Sequence, residues 1–420
     1  MQRILFIVVL SLFAAVSSPA QRVCSTYDYL QQELQANPAL YRKIAEIEAF
    51  ASKIKNELLA LQTEGVGTTL PVIKIPVVFH ILYNTPAQNI SDAQIKSQID
   101  ALNRDYRMLN SDTANIPLAF KDRAADCHIE FYLATVDPRG RATTGIIRKP
   151  TSIQFFGMDD RIKNSAIGGD DPWNADNYLN IWVGNMAGGL LGYANPLGGP
   201  KEKDGVVLMH SAVGTIGTVR APYNKGRTAT HEVGHWLGLR HIWGDMYCGN
   251  DYVDDTPPQR SPSYGCPTGV VITCDNGPAG NMYNNYMDLS NDPCINMFTA
   301  GQREKMRTMF AAGGPRNTLL SSNGLGTPLP EPVESPVDTT VSVSSVRIHP
   351  NPAYNYIIVE TVNQEQFIGK ILTIYTAQGQ IASQTRITSA VMQVYVNNLR
   401  AGIYILRIEG EKKTWKVIKQ

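Results

Sequence analysis

His231-Glu232-Val233-Gly234-His235-Trp236-Leu237-Gly238-Leu239-Arg240-His241 is the stretch that decides the fold. Its pattern is H-E-x-x-H-x-x-G-x-x-H, a zinc site and a general base in one short run. His231 and His235 stand one helical turn apart, so both imidazoles leave the same helix face. Glu232 sits beside them, near the metal without binding it. Gly238 can adopt a positive φ and end the helix. The returning chain then brings His241 in as a third ligand. Three neutral imidazoles leave a fourth position on zinc open to water, the arrangement of a catalytic site. Three of the chain's seven histidines fall at the required spacings, which leaves little room for a chance match on an amphipathic helix.

Outward from this motif, residues 72–82 form a buried-strand run interrupted only by Pro76. Ser91-Asp92-Ala93-Gln94 is a capping box that opens an amphipathic helix through Ile95, Ile99 and Leu102. Residues 129–134, 178–183 and 206–209 predict further strands ahead of the zinc helix. Strands alternating with helices imply an α/β domain, with the metal helix behind a mixed sheet. Zinc in such a site acidifies water and polarises a carbonyl, and Glu232 can shuttle the proton to a leaving amine. Hydrolysis of peptide bonds is the expected reaction, and proteins or peptides are the expected substrates.

Met1-Gln2-Arg3 gives a positive start, an apolar run covers residues 4–16 and Ser18-Pro19-Ala20 follows, which together predict a secretory signal peptide over residues 1–20. No later run is long and apolar enough for a stable membrane span. Lys+Arg number 38 against Asp+Glu 37, a balance that gives no reason to expect nucleic acid as a partner. Residues 21–70 predict a helical pro-segment, with Leu30, Leu34, Leu40, Ile44, Ile47, Ile54 and Leu58 at roughly helical spacing and a break at Asn37-Pro38. A catalytic domain is expected over residues 71–311. A Gly-, Pro-, Ser- and Thr-rich linker follows over residues 312–343. Short strands without helices over residues 344–420 predict a small β-sandwich. The chain is taken as a monomer.

Six cysteines allow full pairing in an exported protein. Four lie in the long loop between Tyr247 and Cys294, and three pairings of those four are open. For the other two, Cys24 and Cys127, a plain disulfide is one reading. The other makes Cys24 a thiolate ligand that takes the place of the water on zinc. Both remain open. The segment from Asp251 to Thr256 is rich in oxygen donors, which suits calcium or a solvated acidic turn.

The run Gly226-Arg227-Thr228-Ala229-Thr230 into the zinc motif, followed by His241-Ile242-Trp243-Gly244-Asp245, resembles the pappalysin family of metzincin metallopeptidases. Tyr178-Leu179-Asn180-Ile181-Trp182-Val183, Leu191-Gly192-Tyr193-Ala194 and Asp255-Thr256-Pro257 extend the resemblance, which covers about residues 72–311. It implies a mixed twisted sheet with a zinc helix, ligands His231, His235 and His241, and the general base Glu232. Asn285-Tyr286-Met287-Asp288 matches the methionine turn, with Met287 as the floor of the site. The resemblance further implies disulfides Cys248–Cys274 and Cys266–Cys294, calcium at Asp251, Val253 and Thr256, and a zymogen held latent by Cys24. Similar enzymes carry a tyrosine two residues after the methionine as an oxyanion donor. This chain has Leu289 there, which has no donor, and Tyr286 is one candidate to replace it. Some members cut before Lys or Arg through an Asp directly before the last loop cysteine. Here Pro293 holds that position and Asp292 precedes it.

Ile348-His349-Pro350-Asn351-Pro352 and Leu399-Arg400-Ala401-Gly402-Ile403-Tyr404 are similar to the sorting domains of type IX secretion. That similarity implies the type IX secretion machinery as a partner and a secreted or cell-surface location. A binding protein with an inactive metallopeptidase fold is the competing function class, supported by Leu289.

Overall fold

A computed structural model describes residues 22, 24–63, 70–330, 346–361, 367–411 and 413–420. The expected signal peptide and residues 331–343 of the expected linker lie outside them. The chain divides into two compact units, residues 1–330 and 331–420.

The first unit is built on strand β1 (Ile73–Tyr83), an eleven-residue run buried at every position except Lys74 and Tyr83. Both faces are covered, so the apolar residues run on without alternation, as parallel strands require. β2 (Ile129–Leu133) pairs with residues 73–77 of β1 and β3 (Ile146–Pro150) with residues 79–83, both in parallel. β4 (Leu179–Gly184) pairs in parallel with residues 77–81. Pro76 therefore stands where the partner strand β4 has not yet joined, and its missing N–H is tolerated there. Beyond β4 comes β6 (Val206–Met209) in parallel, then β5 (Gly192–Ala194) antiparallel at the far edge. β3 and the three-residue β5 carry too little periodicity to be read from sequence.

Helix α3 (Asp92–Tyr106) crosses between β1 and β2. The Ser91 hydroxyl accepts the Gln94 N–H at its start, and Ile95, Ile99, Leu102 and Tyr106 form the buried face. Helix α4 (Arg227–Trp236) is buried at all ten positions and packs on α3, β5 and β6. At the N-terminus, α1 (Thr26–Ala36) lies against β5, and α2 (Ala39–Thr63) lies against α5 (Ala300–Thr308). The bend at Asn37-Pro38 separates α1 from α2.

Residues 312–330 are not the extended linker expected of their composition. They turn back onto the unit through a 3-10 turn at Asn317–Ser321 and bury Leu319. Arg316 forms a two-pronged pair with Asp204, one arm at 2.9 Å, and lies 3.9 Å over the Trp236 ring. Trp236 also donates its indole N–H to Asp204. Polar residues on the C-terminal side thus lock the end of α4. The loop after α4 is tied by two overlapping disulfides, Cys248–Cys274 and Cys266–Cys294.

In the second unit, β7 (Val346–His349), β8 (Tyr356–Thr361) and β11 (Val391–Tyr395) form one antiparallel sheet in the order β11-β8-β7. β9 (Ile371–Thr376), β10 (Ile381–Arg386), β12 (Gly402–Ile408) and β13 (Thr414–Lys419) form the other, in the order β10-β9-β12-β13. Ile357, Val359, Leu372, Ile374, Leu406 and Val417 share the core between the sheets. It is an all-β sandwich.

Removing one partner of a buried ion pair leaves an uncompensated charge, at about 3–5 kcal/mol. Arg316→Ala should therefore lower unfolding stability by about that amount. Unchanged denaturant midpoints would show that residues 312–330 are not an integral part of this unit.

Candidate active site

The ten-residue α4 aims His231 and His235 at the same point, because four residues span about one turn. Gly238 follows with φ +92°, and the reversed chain carries His241 back. The three Nε2 atoms lie 3.1–3.2 Å from one another. Each ring is fixed by its other nitrogen. His231 Nδ1 donates to the Tyr286 carbonyl at 2.6 Å and His235 Nδ1 to the Leu239 carbonyl at 2.9 Å. His241 Nδ1 donates to the Asp245 carboxylate. Trp243 stacks on the His241 ring at 4.1 Å and 10°.

With every Nδ1 protonated, three bare Nε2 lone pairs face a common centre. Lone pairs do not share such a space without a cation. Burial and the neighbouring imidazoles push the His231 proton affinity well below its ordinary value, and burial pushes His235 down to about 3, so both rings stay neutral. Neutral imidazole is the ligand form. Zinc–nitrogen bonds of about 2.0–2.1 Å in a tetrahedron place the nitrogens roughly 3.3 Å apart, close to the observed spacing. The donor set fits zinc.

Cys24 completes the cluster. Its Sγ is 3.7 Å from His235 Nε2, and all four ligand atoms lie within 4.8 Å of one another. Cys24 bridges in parallel to Gly192 on the open edge of β5. The next residue, Ser25, donates its N–H to the Gly192 carbonyl at 3.3 Å. Thr26 donates its hydroxyl to Glu232 Oε2 at 2.8 Å and accepts the Ala194 N–H at 2.9 Å. Glu232 is buried. Burial raises its carboxyl to about 7, opposed by hydrogen bonds from Thr26 and Cys24. Gly192 is needed beside it: a Cβ there would stand 2.8 Å from Glu232 Cγ. On the other side of Cys24, Arg22 pairs with buried Asp292 and lies 5.4 Å from the Tyr223 ring centroid.

Residues 161–311 match the family described as "Pregnancy-associated plasma protein-A", the M43 peptidases, and residues 347–420 match the "Secretion system C-terminal sorting domain". "Extracellular metalloprotease 1" of Coccidioides posadasii is 34% identical over 267 residues, 60% of this chain and 83% of the fungal protein. Mature mirolysin of Tannerella forsythia, solved with a cleaved peptide, is 48% identical with a TM-score of 0.59, over 60% of this chain and 97% of that one. A promirolysin mutant of the same organism is 43% identical with a TM-score of 0.66, over 73% of this chain and 100% of that one. The chain belongs to the pappalysin family of metallopeptidases. It is a secreted zinc endopeptidase made as a zymogen, and its tail is a type IX secretion sorting domain.

Several features of this pappalysin site are absent from the motif. Asp245 orients His241, and the Met287 turn orients His231 through the Tyr286 carbonyl. Met287 itself is fully buried beneath the helix, where a Cβ on Gly234 would meet its sulfur at 2.5 Å. Asp105 on α3 accepts from Thr230 Oγ1 at 2.7 Å and from the Tyr286 hydroxyl at 2.9 Å. It ties the zinc helix to the methionine turn. That bond also corrects the suggestion that Tyr286 replaces the missing oxyanion donor: its hydroxyl is buried on Asp105. Leu289 is buried in the core. The Cys24–Cys127 disulfide is likewise excluded, since both thiols are free and Cys127 is buried near the Ala125 carbonyl.

In the loop after α4, the Thr256 hydroxyl lies 2.7 Å from Asp251 Oδ2 and 2.8 Å from the Val253 carbonyl. One proton serves two acceptors, leaving oxygen lone pairs in excess. Burial raises Asp251 to about 6, against hydrogen bonds from Thr256 and the Val253 N–H and the attraction of nearby Lys305. Carboxylate, hydroxyl and carbonyl oxygens are the ligand types calcium takes; here Lys305 also donates to the Asp251 carbonyl at 3.1 Å.

Asp105 makes stability depend on pH. Burial raises its carboxyl to about 6, with the nearby Arg227 opposing. An unfolded aspartate releases its proton near ~4. The folded chain therefore holds more protons between these values, and this group's contribution to stability falls as pH rises from about 4 to about 6. Asp105→Asn should remove that slope. The difference in unfolding free energy between the two chains should change by a few kcal/mol, on the order of two pK shifts of ~1.4 each, across this window and be flat above it. A constant difference from pH 4 to 7 would assign no titration to Asp105.

Proposed function

We propose that His231, His235 and His241 hold the zinc, that Glu232 is the general base, and that Cys24 silences the enzyme as the fourth ligand. The convergence of one thiol and three imidazole ligand atoms within 4.8 Å carries this reading. Zinc bound there supplies Lewis acidity, polarising the scissile carbonyl and acidifying water. Glu232 takes a proton from the attacking water and returns it to the leaving amine. Met287 forms the floor beneath α4 at Gly234, and Asp245 keeps His241 in its ligand tautomer.

Residues 21–70 form the proposed pro-segment, which blocks three things at once. Cys24 takes the fourth position, Thr26 occupies Glu232, and residues 24–26 cover the β5 edge. Its removal frees that edge for a substrate strand, which recognises unpaired backbone groups. Residues 71–311 with the appended 312–330 form the proposed catalytic domain, and residues 344–420 are read by the type IX secretion machinery. Calcium is proposed at Asp251, Val253 and Thr256, where it would brace the disulfide-tied loop.

Asp292 is proposed to select a basic residue after the cut. The buried pairing with Arg22 supports this: a guanidinium from the proposed pro-segment already binds this carboxylate. The intervening Pro293 does not prevent the carboxylate from pairing with a guanidinium.

Glu232→Ala in the mature enzyme should lower kcat/KM by roughly 10²–10⁴, and a zinc chelator should abolish cleavage of a denatured protein. Cys24→Ala should give the uncut full chain activity on short peptides while the uncut wild type stays silent; equal silence would end the thiol reading. In a peptide-library digest, Asp292→Asn should lose about tenfold or more of the preference for Lys and Arg after the cut. A wild-type digest with random residues there would exclude Asp292 as a selector.

A further inference from the structure

Away from the histidines, α1 makes a second contact with its own receptor. Tyr29 is buried, with its ring 4.8 Å from Tyr193 of β5. Its hydroxyl donates to Asp160 Oδ2 at 2.7 Å and lies 3.1 Å from Asn195 Oδ1. Burial and the nearby Asp160 raise the phenol far above its ordinary value, so it remains a donor. Lys163 Nζ lies 4.9, 5.0 and 5.6 Å from the ring centroids of Tyr193, Tyr29 and Trp182, and 3.0 Å from Asp160. One turn further along α1, Glu33 meets Lys203 at 2.8 Å, and Lys203 reaches Asp160 at 3.1 Å.

The charges divide unevenly. In direct contact, the catalytic unit supplies two cations, Lys163 and Lys203, against the carboxylate of Asp160; Asp204 also attracts Lys163 but is paired with Arg316. Glu33 supplies the second negative charge, and Tyr29 supplies the third ring around Lys163 and a donor for Asp160. Without α1, the pocket holds an unmatched cation and a space the size of a phenol. Its walls come from β4, β5 and the segments carrying residues 160–163 and 203, none of which leaves with the pro-segment.

We propose that this cage is a docking site for a helix bearing a tyrosine and, four residues later, a carboxylate. Its occupant is the chain's own pro-segment. The contact is independent of the zinc thiol, so the cut pro-segment rebinds the mature enzyme through Tyr29 and Glu33. The proposal rests on residues 21–70 acting as the latency segment, but its test needs neither thiol nor activity.

The probe is a fluorescein-labelled peptide of residues 25–63, which lacks Arg22 and Cys24, titrated with mature enzyme and followed by anisotropy. Saturable binding is expected. Tyr29→Ala in the peptide should weaken it by roughly tenfold or more. Glu33→Lys should also weaken it, and pairing that peptide with Lys203→Glu enzyme should recover most of the loss. Turnover of a short peptide by the Lys203→Glu enzyme checks that it is folded. Absence of binding, or equal binding by native, Tyr29→Ala and Glu33→Lys peptides, would overturn the proposal. Failure of the latency reading shows separately, as silence of the Cys24→Ala full chain.

Discussion

Three imidazole nitrogens facing one another at 3.1–3.2 Å are the constraint around which the first unit is organised. Such an arrangement is repulsive in the absence of a cation, so the surroundings must hold each ring in place. They do so from three directions. The Leu239 carbonyl in the turn after α4 holds His235, the methionine turn holds His231, and Asp245 holds His241. Behind these, Asp105 joins the helix to the methionine turn, and Asp204 with Arg316 fixes the far end of the helix. The supports reach from Asp105 on α3 to Arg316, so residues well beyond α5 belong to the unit.

The parts legible in the sequence were those written locally. The zinc motif specifies its own helix, its own turn and its own base within eleven residues. The Ser91 cap and the uninterrupted apolar run of β1 likewise state their structure in neighbouring positions. Contacts between remote segments leave no such mark. Asp105 looks like any aspartate on a helix, and its role exists only where α3 meets Thr230 and Tyr286. Composition misled at residues 312–330, because Gly and Pro there shape tight turns that return Arg316 and Leu319 to the core. Strand β5 escaped for a different reason: three residues contain no period, yet they line the cleft.

The proposed pro-segment engages unlike chemistries along a short length. A guanidinium meets a carboxylate, a thiol meets imidazoles, a hydroxyl meets the base, and a phenol meets a caged ammonium. Thr26 joins two of these roles, since one oxygen donates to Glu232 while accepting from the strand edge. On the proposed reading, substrate and inhibitor draw on the same groups, Asp292 and Glu232.

The two disulfides of the loop after α4 interleave, since Cys266 lies inside the span of Cys248–Cys274 and Cys274 lies inside the span of Cys266–Cys294. Every peptide bond from residue 248 to residue 294 is therefore enclosed by at least one covalent bridge. A single nick anywhere in this stretch, including beside the exposed Arg260, releases no fragment. The loop that carries Asp288 and Asp292 thus stays covalently attached to its unit after a single cut by another copy of the enzyme.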